Sequence, residues 1–380
     1  MIESNRIAFI HDWLTTLGGG EQIMASWWEI WPEAPAYTLV YDPYGPCGSF
    51  TSGKNINTSF IQKLPRAKSN HRAYLPLMPL AVEQFDVRDY EIIISSSHAT
   101  AHGVLIQPDQ LHINYVHTPM RYAWHLYHQY LEESGLQKGL KGWCAKFFLH
   151  YLRLWDVSTS NRVDEYVANS NWTAQNIWRV YRRHAEVINP PVDVNSFEIF
   201  EKKEKYYVTI SRLVAYKRVD MIIEAFKDLP DRKLIVVGDG PDLAKMRSIA
   251  TENVEFLGFL PFNEMNEVLG KARALVYAAV EDFGIVPLEA QACGTPVIAY
   301  GKGGVLETVL EGETGFFYRK QNPESLVKAI QTFEAVNYEL DIQTLRENAE
   351  RFSKEGFQKQ FALFVEQKWE SFSNSSRLRD

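Results

Sequence analysis

Short apolar runs alternate with amphipathic stretches along most of the chain. Arg6–Ile10 reads as a strand, Glu21–Trp31 as a helix and Tyr37–Tyr41 as a second strand. Glu91–Ser95 and His112–Val116 are apolar on both faces, the pattern of strands buried inside a parallel sheet. Tyr166–Asn169, a helix near 172–181 and Glu186–Asn189 follow. After Pro190-Pro191 comes a polar stretch, Glu198–Lys205, with six charged residues among eight. The rhythm then restarts. Tyr206–Ser211, Leu234–Val237, Val254–Leu257, Ala274–Ala278, Pro296–Tyr300 and Gly315–Tyr318 are strands separated by helical patterns. Strand-then-helix repetition predicts parallel sheets with helices on both faces. The expected division is 1–195, 196–355 and a C-terminal helix in 356–380, whose apolar residues Phe361, Phe364, Val365 and Trp369 fall at helical spacing.

Composition agrees with two domains. The 380 residues, 46% hydrophobic and 23% charged, exceed one ordinary core and exclude general disorder. No uninterrupted apolar run reaches the ~18 residues of a membrane span. The N-terminus passes directly into a strand, so no signal peptide is expected. Cys47, Cys144 and Cys293 are too scattered for a disulfide framework or a metal knuckle, which points to the cytoplasm. The net charge of −7 argues against a nucleic-acid binder. Its distribution is uneven, however. Pro43–Val82 holds five basic residues and no acid, and Ser134–Trp155 holds four and no acid. Such local basic faces suit an anionic ligand or membrane surface. In 139–155 the cations are interleaved with Trp143, Phe147, Phe148, Tyr151 and Trp155, as in an interfacial helix or a packed helix with a basic outer face.

Chemistry is expected in the loops after the strands, where helix N-termini converge. Glu281 lies in the loop after Ala274–Ala278, and Glu289 lies on the next helix, two turns away from it. They can grip two ends of one extended ligand, with a diphosphate on the N–H groups of Phe283, Gly284, Ile285 and Val286. Arg212 and Lys217 follow the strand ending at Ser211; a guanidinium and an ammonium there suit a diphosphate. Gly18-Gly19-Gly20 opens a helix and allows close backbone approach, but is not a dinucleotide fingerprint. His117 ends a strand. Asp12 and Glu21 flank the glycine loop; either can face an acceptor, and Glu21 also suits a helix start. Gly238 lies in a strand-to-helix turn. His98 and His102, four apart, can share a helix face, but without a third ligand they make no metal site.

The segments Glu281–Glu289, Ala290–Gly304, Val236–Pro241 and Ser211–Lys217 resemble the retaining glycosyltransferases of family 4. In the N-terminal half, Ile10–Trp13, Gly18–Glu21 and Tyr115–Trp124 are similar to the O-antigen mannosyltransferase branch of that family. The resemblance implies the GT-B fold: two doubly wound Rossmann-like domains facing across a cleft, acceptor domain first and nucleotide-sugar domain second, with the last helix crossing back to the first domain. It implies transfer of a sugar from a nucleotide donor, GDP-mannose favoured, to a glycan acceptor that can be lipid-linked, without metal or other cofactor. Arg212 and Lys217 would hold the diphosphate, Glu281 the donor sugar, Glu289 the ribose and His117 the transferred sugar. Gly19, Gly20, Gly238 and Leu260 would line the donor, and Asp12, Arg121 and Tyr122 the acceptor. The expected location is the cytoplasm, peripheral at the inner membrane face. GDP-rhamnose or a UDP-sugar as donor, and a nucleotide-sugar epimerase of the same fold, stay open.

Overall fold

A computed structural model describes residues 2–335 and 341–377. The chain divides into two compact units, Met1–Pro191 with Phe357–Asp380, and Val192–Gly356.

The first unit is built on a seven-stranded sheet in the order β3-β2-β1-β4-β5-β6-β7. Its strands are β1 (Ile7–His11), β2 (Ala36–Thr38), β3 (Ile56–Thr58), β4 (Ile92–Ser97), β5 (Leu111–Val116), β6 (Glu165–Ala168) and β7 (Ala185–Val187). Every pairing is parallel. β1, β4 and β5 are buried at every position, as their two-sided apolar pattern requires. β3 escapes prediction because an edge strand of three half-exposed residues carries no periodicity. Between β3 and β4 the expected cationic stretch folds into short helical turns.

Helix α1 (Gly19–Ile30) buries Ile23, Met24, Trp27 and Trp28 on one face of this sheet, around Phe9. Helix α2 (Gly139–Thr159) buries Leu149, Leu152, Trp155 and Asp156. The long C-terminal helix (Lys354–Arg377) adds Phe357, Phe361, Phe364 and Val365 to the α1 cluster. Phe361 stacks on Trp27 at 5.1 Å between centroids and 18° between planes. The two ends of the sequence thus share one core.

The second unit has a six-stranded sheet, β10-β9-β8-β11-β12-β13. Its strands are β8 (Tyr206–Ile210), β9 (Lys233–Val237), β10 (Val254–Gly258), β11 (Ala274–Tyr277), β12 (Val297–Tyr300) and β13 (Gly315–Tyr318), again all parallel. Alternate residues feed two cores: Val208, Leu275 and Val297 on one face, Tyr207, Val276 and Ile298 on the other. In both sheets strand order reverses once, between β1 and β4 and between β8 and β11. At such a switch point the loops leaving neighbouring strands diverge to opposite faces and open a crevice.

Phe361 is fully buried. Phe361→Ala should cost the first unit about 3–5 kcal/mol, seen as a lower urea midpoint; a loss below ~1 kcal/mol would mean the C-terminal helix does not complete that core.

Candidate functional site

The switch point of the first sheet gathers a buried polar cluster. His11 ends β1, Ser96 lies in β4, and His98 and His117 follow β4 and β5. Ser96 Oγ lies 3.0 Å from His11 Nδ1 and 2.8 Å from His117 Nε2. Gly20 makes room for both rings, since a Cβ there would sit 3.3 Å from His11 Cε1 and 3.3 Å from His117 Nε2. Gly19, beside it, opens helix α1. Desolvation, with His98 and His11 nearby, holds His117 well below the ordinary histidine range. Its ring is therefore neutral at physiological pH.

Asp12 corrects an expectation. Its side chain is fully buried. Its carboxylate accepts the backbone N–H groups of His98, Ala99, Thr100 and Ala101 at 2.6–2.9 Å. Burial alone would raise its pKa, but His98 and these donors prevail and hold it below the ordinary value. Asp12 therefore latches the end of β1 to the loop after β4 and is not presented to an acceptor. Tyr122 is likewise packed between two apolar clusters, its buried hydroxyl without a hydrogen-bond partner among the described residues. Arg121 is partly buried beside it. His98 and His102 share no helix face: His98 Nδ1 faces Asp12 at 3.2 Å, whereas His102 Nε2 faces Asp156 at 3.3 Å.

The second switch point brings Lys217 and Glu281 together. Lys217 Nζ pairs with Glu281 Oε1, and the hydroxyl of Tyr277 donates to Glu281 Oε2. These residues were expected to grip different parts of a ligand; adjacency of β8 and β11 instead makes them one ion pair. Arg212 is exposed. Gly238 has φ +128°, and a Cβ there would lie 1.9 Å from Ser211 O. Its N–H is spent on Gly258 O at 2.7 Å, so it shapes the loop and cannot donate that group to a ligand. Leu260 packs partly buried against the core, while its neighbour Phe259 is exposed.

Helix α3 (Ile285–Ala292) starts after Gly284 with no side-chain cap and no acid in its first turn. The N–H groups of Ile285 and Val286 belong to that first turn; Pro287 has none to offer. An uncapped helix start free of acids favours an anion. The Phe283 ring is buried edge-on to Phe352 at 5.5 Å, so only its backbone can serve a ligand. Glu289 is partly buried, and desolvation pushes its carboxyl up to about 7.

Residues 193–358 match the family Glycosyl transferases group 1. The match falls almost wholly on the second unit, Val192–Gly356. Over 170 residues, 43% of this chain and 48% of the relative, the sequence is 34% identical to an uncharacterized glycosyltransferase of Methanocaldococcus jannaschii. Over 142 residues, 32% of this chain and 37% of the relative, it is 37% identical to the GDP-mannose-dependent alpha-(1-6)-phosphatidylinositol monomannoside mannosyltransferase of Mycolicibacterium smegmatis. The matches span less than half the length of these curated relatives. Anabaena HepE in complex with UDP superposes with a TM-score of 0.70 at 17% identity, over 95% of this chain and all of that one. Sucrose-phosphate synthase from Thermosynechococcus elongatus gives 0.70 at 19%, over 96% and 99%. The fold is therefore the GT-B fold.

Reading the sequence missed Ser96, His11, His98 and Tyr277 as site residues. A signal for the first was present: Ser95-Ser96-Ser97 ends a strand otherwise made of isoleucine.

Glu289 sets a pH-dependent cost. Below pH ~4.5 it is protonated in both folded and unfolded chains. As pH rises from 4.5 to about 7 the unfolded chain loses this proton first, so stability falls, and the full penalty remains above 7. Glu289→Gln should raise the melting temperature by a few degrees at pH 8 and leave it unchanged at pH 4. Equal shifts at both pH values would refute the buried, proton-holding carboxyl.

Proposed function

We propose that the protein is a retaining glycosyltransferase that moves a hexosyl group, mannose from GDP-mannose by first preference, to a hydroxyl of a lipid-linked glycan in surface-polysaccharide synthesis. The observation that supports this reading is the second switch point, where Lys217, in the loop after β8 that also carries Arg212, pairs with Glu281 in the loop leading to the uncapped start of α3, within a family-matched domain. A diphosphate leaving group gains negative charge as the glycosidic bond breaks, so these groups stabilise the transition state more than the ground state. Glu289 takes the ribose hydroxyls, and Glu281, steadied by Tyr277, takes the donor sugar. His117 contacts the transferred sugar. The acceptor oxygen attacks C1 on the face the diphosphate leaves; the C1–O bond to phosphate breaks, and the acceptor's proton passes to the departing phosphate oxygen. Retention then needs neither a protein nucleophile nor a metal.

Two of the relatives are named as GDP-mannose-dependent, which supports that donor. A UDP-sugar is the alternative, favoured by the UDP held in the HepE structures. An epimerase would convert the donor without any acceptor. Thermal shift with GDP, UDP and ADP separates the donors: stabilisation by GDP alone supports the mannosyl reading, UDP alone replaces it, and none overturns the nucleotide site. Arg212→Ala should lower kcat/KM by about 10²–10³-fold with the fold intact; near-normal turnover would remove Arg212 from the diphosphate site.

Peripheral attachment to an anionic membrane is part of the proposal. On α2 the residues Leu140, Trp143, Phe147, Tyr151 and Leu154 form one stripe, each 46–79% exposed, on the side away from the buried Leu149 and Leu152. The face of a surface helix that water should claim is thus apolar. Exposed Lys138, Lys141 and Lys146 accompany it. Among the described residues no helix is long and apolar enough to cross a membrane. Trp143→Asp with Phe147→Asp should abolish flotation with phosphatidylglycerol vesicles while leaving nucleotide binding unchanged. Undiminished flotation would discard this face as the anchor.

A further inference from the structure

Four side chains from four elements form a row at the switch point of the first sheet. Glu21 comes from α1, His11 from β1, Ser96 from β4 and His117 from the loop after β5. Glu21 Oε1 lies 3.8 Å from His11 Nε2, and Ser96 Oγ bridges His11 Nδ1 and His117 Nε2 at 3.0 and 2.8 Å. Glu21, His11 and Ser96 are all buried. Asp12 is not a member, since its carboxylate serves His98 and the loop after β4.

The Ser96 hydroxyl carries one proton, so between two imidazoles it can donate to no more than one of them, and the row admits more than one polarity. Glu21 distinguishes them. His11 Nε2 has no hydrogen-bond partner among the described residues and faces the carboxylate. A lone pair there would oppose the negative charge, whereas an N–H is attracted to it. With a single ring proton, held on Nε2, His11 accepts the Ser96 O–H at Nδ1. Ser96 Oγ then accepts the N–H of His117 Nε2, which leaves a lone pair on His117 Nδ1.

We propose that Glu21, His11 and Ser96 are positioning residues that fix His117 as the Nε2–H tautomer, so that its Nδ1 accepts a hydrogen bond from a ligand hydroxyl and repels an anionic group. This deepens the glycosyltransferase reading and rests on His117 contacting the sugar. A subsite of this kind selects an uncharged, hydroxyl-bearing sugar over one with a carboxylate at the same place. It also excludes His117 as a proton donor to the ligand. The burial that keeps the ring neutral preserves this role across physiological pH.

The test is long-range 1H–15N correlation on the full chain labelled at histidine, with His117 assigned by loss of its signals in His117→Gln. In ligand-free protein His117 should show Nδ1 in the range of an unprotonated nitrogen and Nε2 in that of a protonated one. Glu21→Gln, which keeps shape but offers both donor and acceptor to His11, should draw the two His117 shifts toward each other and lower kcat/KM about tenfold. Ser96→Ala should also displace the Nε2 signal, and serves if Glu21→Gln folds poorly. A protonated Nδ1 in the wild type, or His117 signals indifferent to both substitutions, would overturn the relay. These spectra need no ligand, so they stand apart from the proposed activity. With the nucleotide sugar that stabilises the fold, Nδ1 should move upfield on accepting a hydroxyl; an unmoved Nδ1 would overturn the ligand-reading role.

Discussion

A parallel sheet whose strand order reverses must leave one pair of neighbouring strands with loops that part, and most of what is distinctive here is built at those two partings. Between β1 and β4 the gap is held by a single carboxylate. Four consecutive backbone N–H groups of the loop after β4 converge on Asp12 at the end of β1. Those N–H groups would otherwise be buried or frayed donors, each costly to leave unpaired. The latch fixes the ends of β1 and β4 relative to each other, and with them His11, Ser96 and His98. His117 joins them from β5 because β4 and β5 pair in register up to Ser97 and Val116.

The second parting uses charge differently. Asp12 is saturated by its own unit, whereas Lys217 and Glu281 keep some exposure above the buried Tyr277, and the exposed Arg212 stands near them in sequence. An ion pair that keeps some exposure pays little desolvation and can exchange partners. Glu289 lies at the other extreme: its environment opposes the charge a carboxylate carries at neutral pH, a cost that grows as pH rises from 4.5 to about 7. A carboxyl kept where it destabilises the empty protein is readily understood if a ligand's hydroxyls satisfy it.

The same contrast between what the core needs and what it leaves over explains helix α2. Its buried side chains, Leu149, Leu152 and Trp155, satisfy the first unit. The opposite stripe contributes nothing to that core, so its apolar character has no source in folding stability. The C-terminal helix is the converse case: its apolar face is consumed by α1, with Phe361 against Trp27.

Much of this was legible in the sequence. Strands buried on both faces, such as Ile92–Ser97 and Leu111–Val116, announce themselves as apolar runs, and glycines and prolines mark where helices begin and end. The positions of Arg212, Lys217, Glu281, Glu289 and His117 after strands also follow from the linear pattern, because chemistry in a parallel sheet collects at the carboxyl ends. Partnerships do not follow. Asp12 looks like a free loop acid until strand pairing brings residues 98–101, more than 85 positions away, onto its oxygens. Lys217 and Glu281 look like separate ligand contacts until β8 and β11 become neighbours. Ser96 becomes a bridge only when β1, β4 and β5 lie side by side. Residue type and periodicity are local properties that one chain states by itself; which polar group satisfies which other is decided by sheet order and burial, and these exist only in three dimensions.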